Sequence, residues 1–188
     1  MSDVKKVYDQ RRAFQTLILA IGAENKPYIM AMSQFMLKQI SSEAALNDMV
    51  IALDDPEAEI RRVAIFLLGV VAKPETVKDL SVTLSREDDP ENKELIVWAL
   101  KEIKSEEAIS CLVQLLKNRE QLADNANVAL LHTGGLITIS QLINVLNDSD
   151  RSFRQKVIAI LETLTKESHG QKIREWKSWW REYSKQMQ

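Results

Sequence analysis

One spacing governs what this chain can become. The apolar template i, i+3, i+4, i+7 marks one stripe of an amphipathic helix. It fits Phe14/Leu17/Ile18/Ile21, Leu46/Met49/Val50/Leu53, Val77/Leu80/Ser81/Leu84, Ile109/Leu112/Val113/Leu116 and Ile139/Leu142/Ile143/Leu146. The first members stand at 14, 46, 77, 109 and 139, so the successive steps are 32, 31, 32 and 30, and Ser81 is the one polar intruder. A second apolar helix follows each stripe: Tyr28/Ala31/Met32/Phe35/Met36, Ile60/Val63/Ala64/Leu67/Leu68/Val71, Leu95/Ile96/Ala99/Leu100/Ile103, Ala126/Leu130/Leu131 and Phe153/Val157/Ile160/Leu161/Leu164. A helix pair of about 31 residues cannot bury its stripe alone and must stack on its neighbours. The pattern predicts an all-α solenoid of about five antiparallel helix pairs in a single domain over residues 1–188. The repeats fall at 3–41, 42–73, 74–105, 106–135 and 136–169, with a terminal helix over 170–186.

Composition agrees. Only 5 Gly and 4 Pro are present, too few for the turns of a sandwich or barrel. The helix starts carry their own signals. Asp55-Pro56-Glu57 and Asp89-Pro90-Glu91 each offer a capping carboxylate, a Pro in the first turn and an acid at the positive helix end. Ser42, Ser105 and Lys73-Pro74-Glu75 punctuate the first helices of pairs in the same way. One stretch resists: Asn127 takes a position held elsewhere by Met32, Ala64, Ile96 and Val157. With the weak helix propensity of Ala123–Gly135, it predicts an irregular, flexible repeat there.

The run Leu53 to Gly69, LDDPEAEIRRVAIFLLG, resembles the HEAT-repeat signature through Leu53, Asp55, Pro56, Ile60, Arg61, Ala64, Leu68 and Gly69. It is especially similar to the short bacterial HEAT-like repeats of phycobilisome lyases. The resemblance implies a right-handed, armadillo-type superhelix whose second helices line a concave face. It says little about activity, because the matching residues are structural.

Sites for chemistry are sparse. With His132 and His169 as the only histidines and Cys111 as the only cysteine, no zinc-ligand spacing exists and no metal or cofactor is expected. Asp54/Asp55 and Asp88/Asp89 read as caps, Gly134-Gly135 as a helix end, and His132 as an exposed residue, so no catalytic residue is assigned. The single cysteine points to a reducing, cytoplasmic setting. The longest apolar run, Val63 to Ala72, is too short to span a bilayer.

A binding surface is easier to find. Aligning the second helices sets Arg62, Phe66, Gly69 and Lys73 beside Glu94, Trp98, Lys101 and Ser105, then Asn125, Ala129 and His132, then Gln155, Ala159 and Glu162. Phe66 and Trp98 share one repeat position, so the alignment predicts that they neighbour each other within a polar rim of Arg62, Glu94, Lys101 and Asn125, with His132 further along. Ala129 and Ala159 would leave room for a peptide. An aromatic pair in a polar rim has the composition of an interaction hot spot. At the C-terminus, Ile173, Trp176, Trp180 and Tyr183 lie on one helical face with Trp179 beside them, an aromatic stripe suited to capping the last repeat. The ending also resembles that of many bacterial HEAT-repeat proteins, with Lys166 where Gly is usual.

These features favour a non-catalytic scaffold or adaptor that holds a protein segment, with no membrane span. The terminal repeats are a further place for self-association. Nucleic-acid binding, as in HEAT-like DNA glycosylases, is the alternative, and a lyase- or chaperone-type subunit a third. Residues 41–150 carry 10 basic and 20 acidic side chains, the wrong sign for a phosphate groove.

Overall fold

The computed structural model describes residues 43–118 and 120–187. The first helix pair expected over 3–41 and the start signal at Ser42 lie outside them. Among the described residues every regular element is helical, with α1 Glu43–Ala52, α2 Ala58–Val71, α3 Val77–Arg86, α4 Pro90–Ile103, α5 Glu106–Asn118, α6 Glu120–Thr133, α7 Gly135–Asn144, α8 Arg151–Thr165 and α9 Ile173–Gln186. Short 3-10 turns at Pro74–Thr76 and Val145–Asn147 lead into α3 and follow α7. The fold class is all-α, of the helix-pair solenoid type. The chain divides into two compact units after Ala99.

In each unit the stripes read from the sequence form the core. Leu53, Val63, Ala64, Leu67, Leu68, Leu80, Ile96 and Ala99 are buried in the first unit. Ile109, Leu112, Leu116, Leu130, Leu142, Leu146, Val157 and Leu161 are buried in the second. There α5 packs on α6 and α7, and α8 on α6 and α7.

The periodicity is also written in the backbone. Ala72, Lys104, Gly134 and Lys166 follow the second helices of successive pairs, and each has a positive φ, from 51° to 64°. The amide of each donates to the carbonyl four residues back, at Leu68, Leu100, Leu130 and Glu162. Ala72 and Lys166 are in the left-handed conformation that closes a helix, and Gly134 reaches its positive φ with ψ at −157°. Of the four, only Gly134 has a residue type suited to a positive φ.

Two expectations need correction. Residues Glu120–Thr133 form one unbroken α-helix, so the stretch around Asn127 is regular. Asn127 is only half-buried, which spares its amide the burial that made irregularity attractive, while Ala126, Ala129 and Leu130 supply the buried face. Asp55 is not the cap of α2. Glu57 holds that place without a side-chain bond, and Asp55 Oδ1 accepts the Glu57 amide at 2.9 Å in a turn ahead of the helix. Asp89 does cap α4, through the Asn92 amide at 2.9 Å, and Ser105 Oγ caps α5 through Ala108.

A left-handed conformation at a residue with a Cβ costs about 1 kcal/mol relative to Gly. Lys166→Gly is therefore expected to raise the thermal midpoint by about 2–4 °C, whereas Gly134→Ala should lower it. Thermal melts of the two variants check this.

Candidate partner-binding surface

The surface begins with a polar clamp between the helix pairs α1–α2 and α3–α4. Arg61, in the first turn of α2, directs every guanidinium nitrogen to a partner. Nε donates to Glu87 Oε2 at 2.8 Å and Nη2 to Glu87 Oε1 at 2.7 Å, while Nη1 donates to the carbonyls of Asp55 at 2.8 Å and Pro56 at 3.1 Å. The Glu87 side chain has no exposed surface. Its Oε1 also accepts the backbone amides of Asp88 and Asp89, and its Oε2 accepts Asn92 Nδ2.

Asn92, itself fully buried, passes the network on. Its Nδ2 donates to the Ala58 carbonyl at 3.0 Å, and its Oδ1 accepts Arg62 Nε at 3.0 Å. Arg62 Nη2 reaches both oxygens of Asp89 and pairs with Glu91. Just outside, Arg86 pairs with Asp54 across the same two pairs. A burial that would be expensive for one carboxylate is offset because each lone pair has a donor.

Electrostatics follow from that geometry. The Arg61 fork is the main reason the Glu87 carboxyl is lowered to about 2; burial opposes it, and the Asp89 amide and Asn92 add to it. The Asn92 amide, with Arg62 behind it, likewise holds Asp89 below the usual carboxylate range. The clamp is therefore charged throughout the physiological range.

The clamp holds α2 and α4 with their aromatic residues in register. Phe66 and Trp98 lie ring on ring, with centroids 5.3 Å apart and planes 8° from parallel. Both are half-buried, so part of each residue meets solvent. Gly69 makes this possible. A Cβ there would lie 2.4 Å from Trp98 Cζ3 and 3.0 Å from the Ala99 backbone, so the indole covers the glycine and Gly69 is no open ridge position.

The remaining sites fall as follows. Glu94 is exposed one turn before Trp98, whereas Arg62 is committed to the clamp. Lys101 pairs with Glu102 at 2.8 Å. In the second unit Asn125 is half-buried, and His132 is exposed with Nδ1 2.9 Å from the Val128 carbonyl. Ala129 is buried and leaves no room along a groove, while Ala159 is exposed. The sequence analysis assigns no role to Glu87 or Asn92. The available signal was Arg61, a signature cation without an assigned partner.

At the C-terminus, Trp176 is fully buried and its indole N–H donates to the Gly170 carbonyl at 3.0 Å. The His169 ring meets it edge-on at 4.8 Å. Trp179 stacks on Tyr183 at 4.8 Å, and Ile173, Trp179, Trp180 and Tyr183 are half-buried on α9, which packs against α7. Among the described residues no group of three or more His, Cys, Asp or Glu could hold a metal ion. No described helix is long and apolar enough to cross a membrane.

The Glu87 carboxyl is depressed in the folded chain, so its contribution is complete above the ordinary glutamate value of 4.5 and is lost as pH falls towards about 2. The contribution is about 3 kcal/mol. Glu87→Gln should destabilise the chain at pH 7 by about 3 kcal/mol and weaken the fall in stability across that acidic window. Urea unfolding at neutral pH and near pH 3 reads both effects.

Residues 46–130 match the family model for HEAT repeats. No curated protein matches the chain. HEAT repeats are commonly protein-interaction scaffolds. Over residues 46–130 the chain is thus similar to the HEAT repeats, in keeping with its stacked helix pairs.

Proposed function

We propose that this chain is a non-catalytic scaffold that docks a protein segment on the ridge of α2 and α4, with Phe66 and Trp98 as the anchor. The stacked, half-exposed pair carries the reading. Stacked aromatics present a rigid apolar face that loses little conformational freedom on binding, and such residues dominate interaction energetics. The clamp beneath fixes both rings before a partner arrives, and Gly69 lets the indole lie close to the backbone. Glu94 stands exposed at the rim, while Arg62, expected there too, is held in the clamp. The aromatic helix α9 closes the last helix pair through Trp176. With a single cysteine, the scaffold suits a reducing, cytoplasmic compartment.

Affinity capture with the full chain tests this reading. A protein partner held by wild type should fall by about tenfold or more with Phe66→Ala/Trp98→Ala, provided circular dichroism shows the variant folded. Gly69→Ala, which displaces the indole and keeps both aromatic residues, should weaken the same partner. Equal retention by all three forms would reject the ridge.

A further inference from the structure

We propose that the segment docked on this ridge is cationic, with an arginine or lysine side chain laid over the Phe66–Trp98 stack and its neighbours paired to Glu59 and Glu94. The proposal rests on the docking reading above and adds the partner's chemistry. Three observations carry it.

Charge comes first. Residues 1–99, the first unit, hold 16 acidic and 12 basic side chains, a net −4. A field of that sign steers a positive segment towards the unit and repels an anionic one.

The second is which charges remain available. Along α2 the stripe through Phe66 carries Glu59 and Arg62 towards the helix start; along α4 the stripe through Trp98 carries Glu91 and Glu94. Arg62 is held by Asp89, Asn92 and Glu91, so its charge is spent within the fold. Glu59 and Glu94 are exposed, and their carboxylates lie on the same stripes as the two rings. Both carboxylates stand towards the helix starts, so the cationic part of the segment lies over the start of α2 and α4.

The third is ring geometry. With planes 8° apart and centroids 5.3 Å apart, the two half-buried rings form one joint aromatic surface. A guanidinium is flat, weakly hydrated and suited to stacking on such a surface. An acidic segment would set its carboxylates against Glu59 and Glu94, and that like-charge contact disfavours it.

The test uses the folded full chain and two fluorescein-labelled peptides of equal length, one alternating Arg with Gly and one with Glu in place of each Arg. Binding is read by fluorescence anisotropy at low salt. The proposal expects the Arg peptide to bind, the Glu peptide to fail, and Glu59→Lys/Glu94→Lys to weaken the Arg peptide by about tenfold or more. Both substitutions are on exposed positions outside the clamp. Phe66→Ala should also weaken it, which the general charge of the unit would not produce.

If Glu59→Lys/Glu94→Lys leaves Arg-peptide binding unchanged, the attraction is diffuse and the proposal is overturned. If the Glu peptide binds wild type and loses affinity with Phe66→Ala, the cationic assignment falls while the docking ridge survives. If a peptide binds equally to wild type and to Phe66→Ala, the ridge falls with it. If neither peptide binds, the cationic assignment is rejected, and the capture experiment judges the ridge separately.

Discussion

The first compact unit depends on the contact between Arg61 and Glu87. Neither helix pair can hide its apolar stripe alone, so each needs its neighbour at a fixed height and angle. Leucine and isoleucine contacts supply the driving force but are non-directional. A bidentate guanidinium–carboxylate pair is directional, and here it also ties the Asp55–Pro56 turn to the helix it precedes. Since Glu87 is wholly enclosed, a slip between the pairs would strand an ionised carboxylate, a far larger loss than a few displaced methyl contacts.

That constraint reaches the candidate surface through short steps. Asn92 links the clamp to Arg62, and Arg62 begins the stripe that leads along α2 to Phe66. Fixing α2 against α4 sets Phe66 over Trp98, and the bare backbone at Gly69 receives the indole edge. The same side-chain economy explains the rim: the cation nearest the stack is consumed in holding the fold, leaving carboxylates uncovered. On the proposed reading, structure and recognition share residues.

Much of this was legible in the sequence, because periodicity and local capping are local properties. The stripes, the pairing of Phe66 with Trp98 and the caps at Asp89 and Ser105 all follow from spacing and residue type. The clamp was not legible, since Glu87 sits between Arg86 and Asp88 in a charged run, and only tertiary placement encloses it. Asn127 misled for a related reason. Its repeat position is apolar elsewhere, but the helix turns it to a half-buried place and lets Ala126 and Leu130 fill the core. Ala129 failed as a groove residue because a small side chain is as readily packed as left open. The positive φ at Ala72 and Lys104 could not be read from types that rarely adopt that conformation, whereas at Lys166 the usual Gly marked the place.

The central claim is that the stacked pair on α2 and α4, held in register by the clamp, is where a partner sits. Hydrogen–deuterium exchange on the full chain, with and without the captured protein, tests it most directly. The account predicts slowed exchange in α2 and the first turns of α4, with α9 unchanged. Protection confined to α9, with α2 and α4 exchanging as in the free chain, would contradict it.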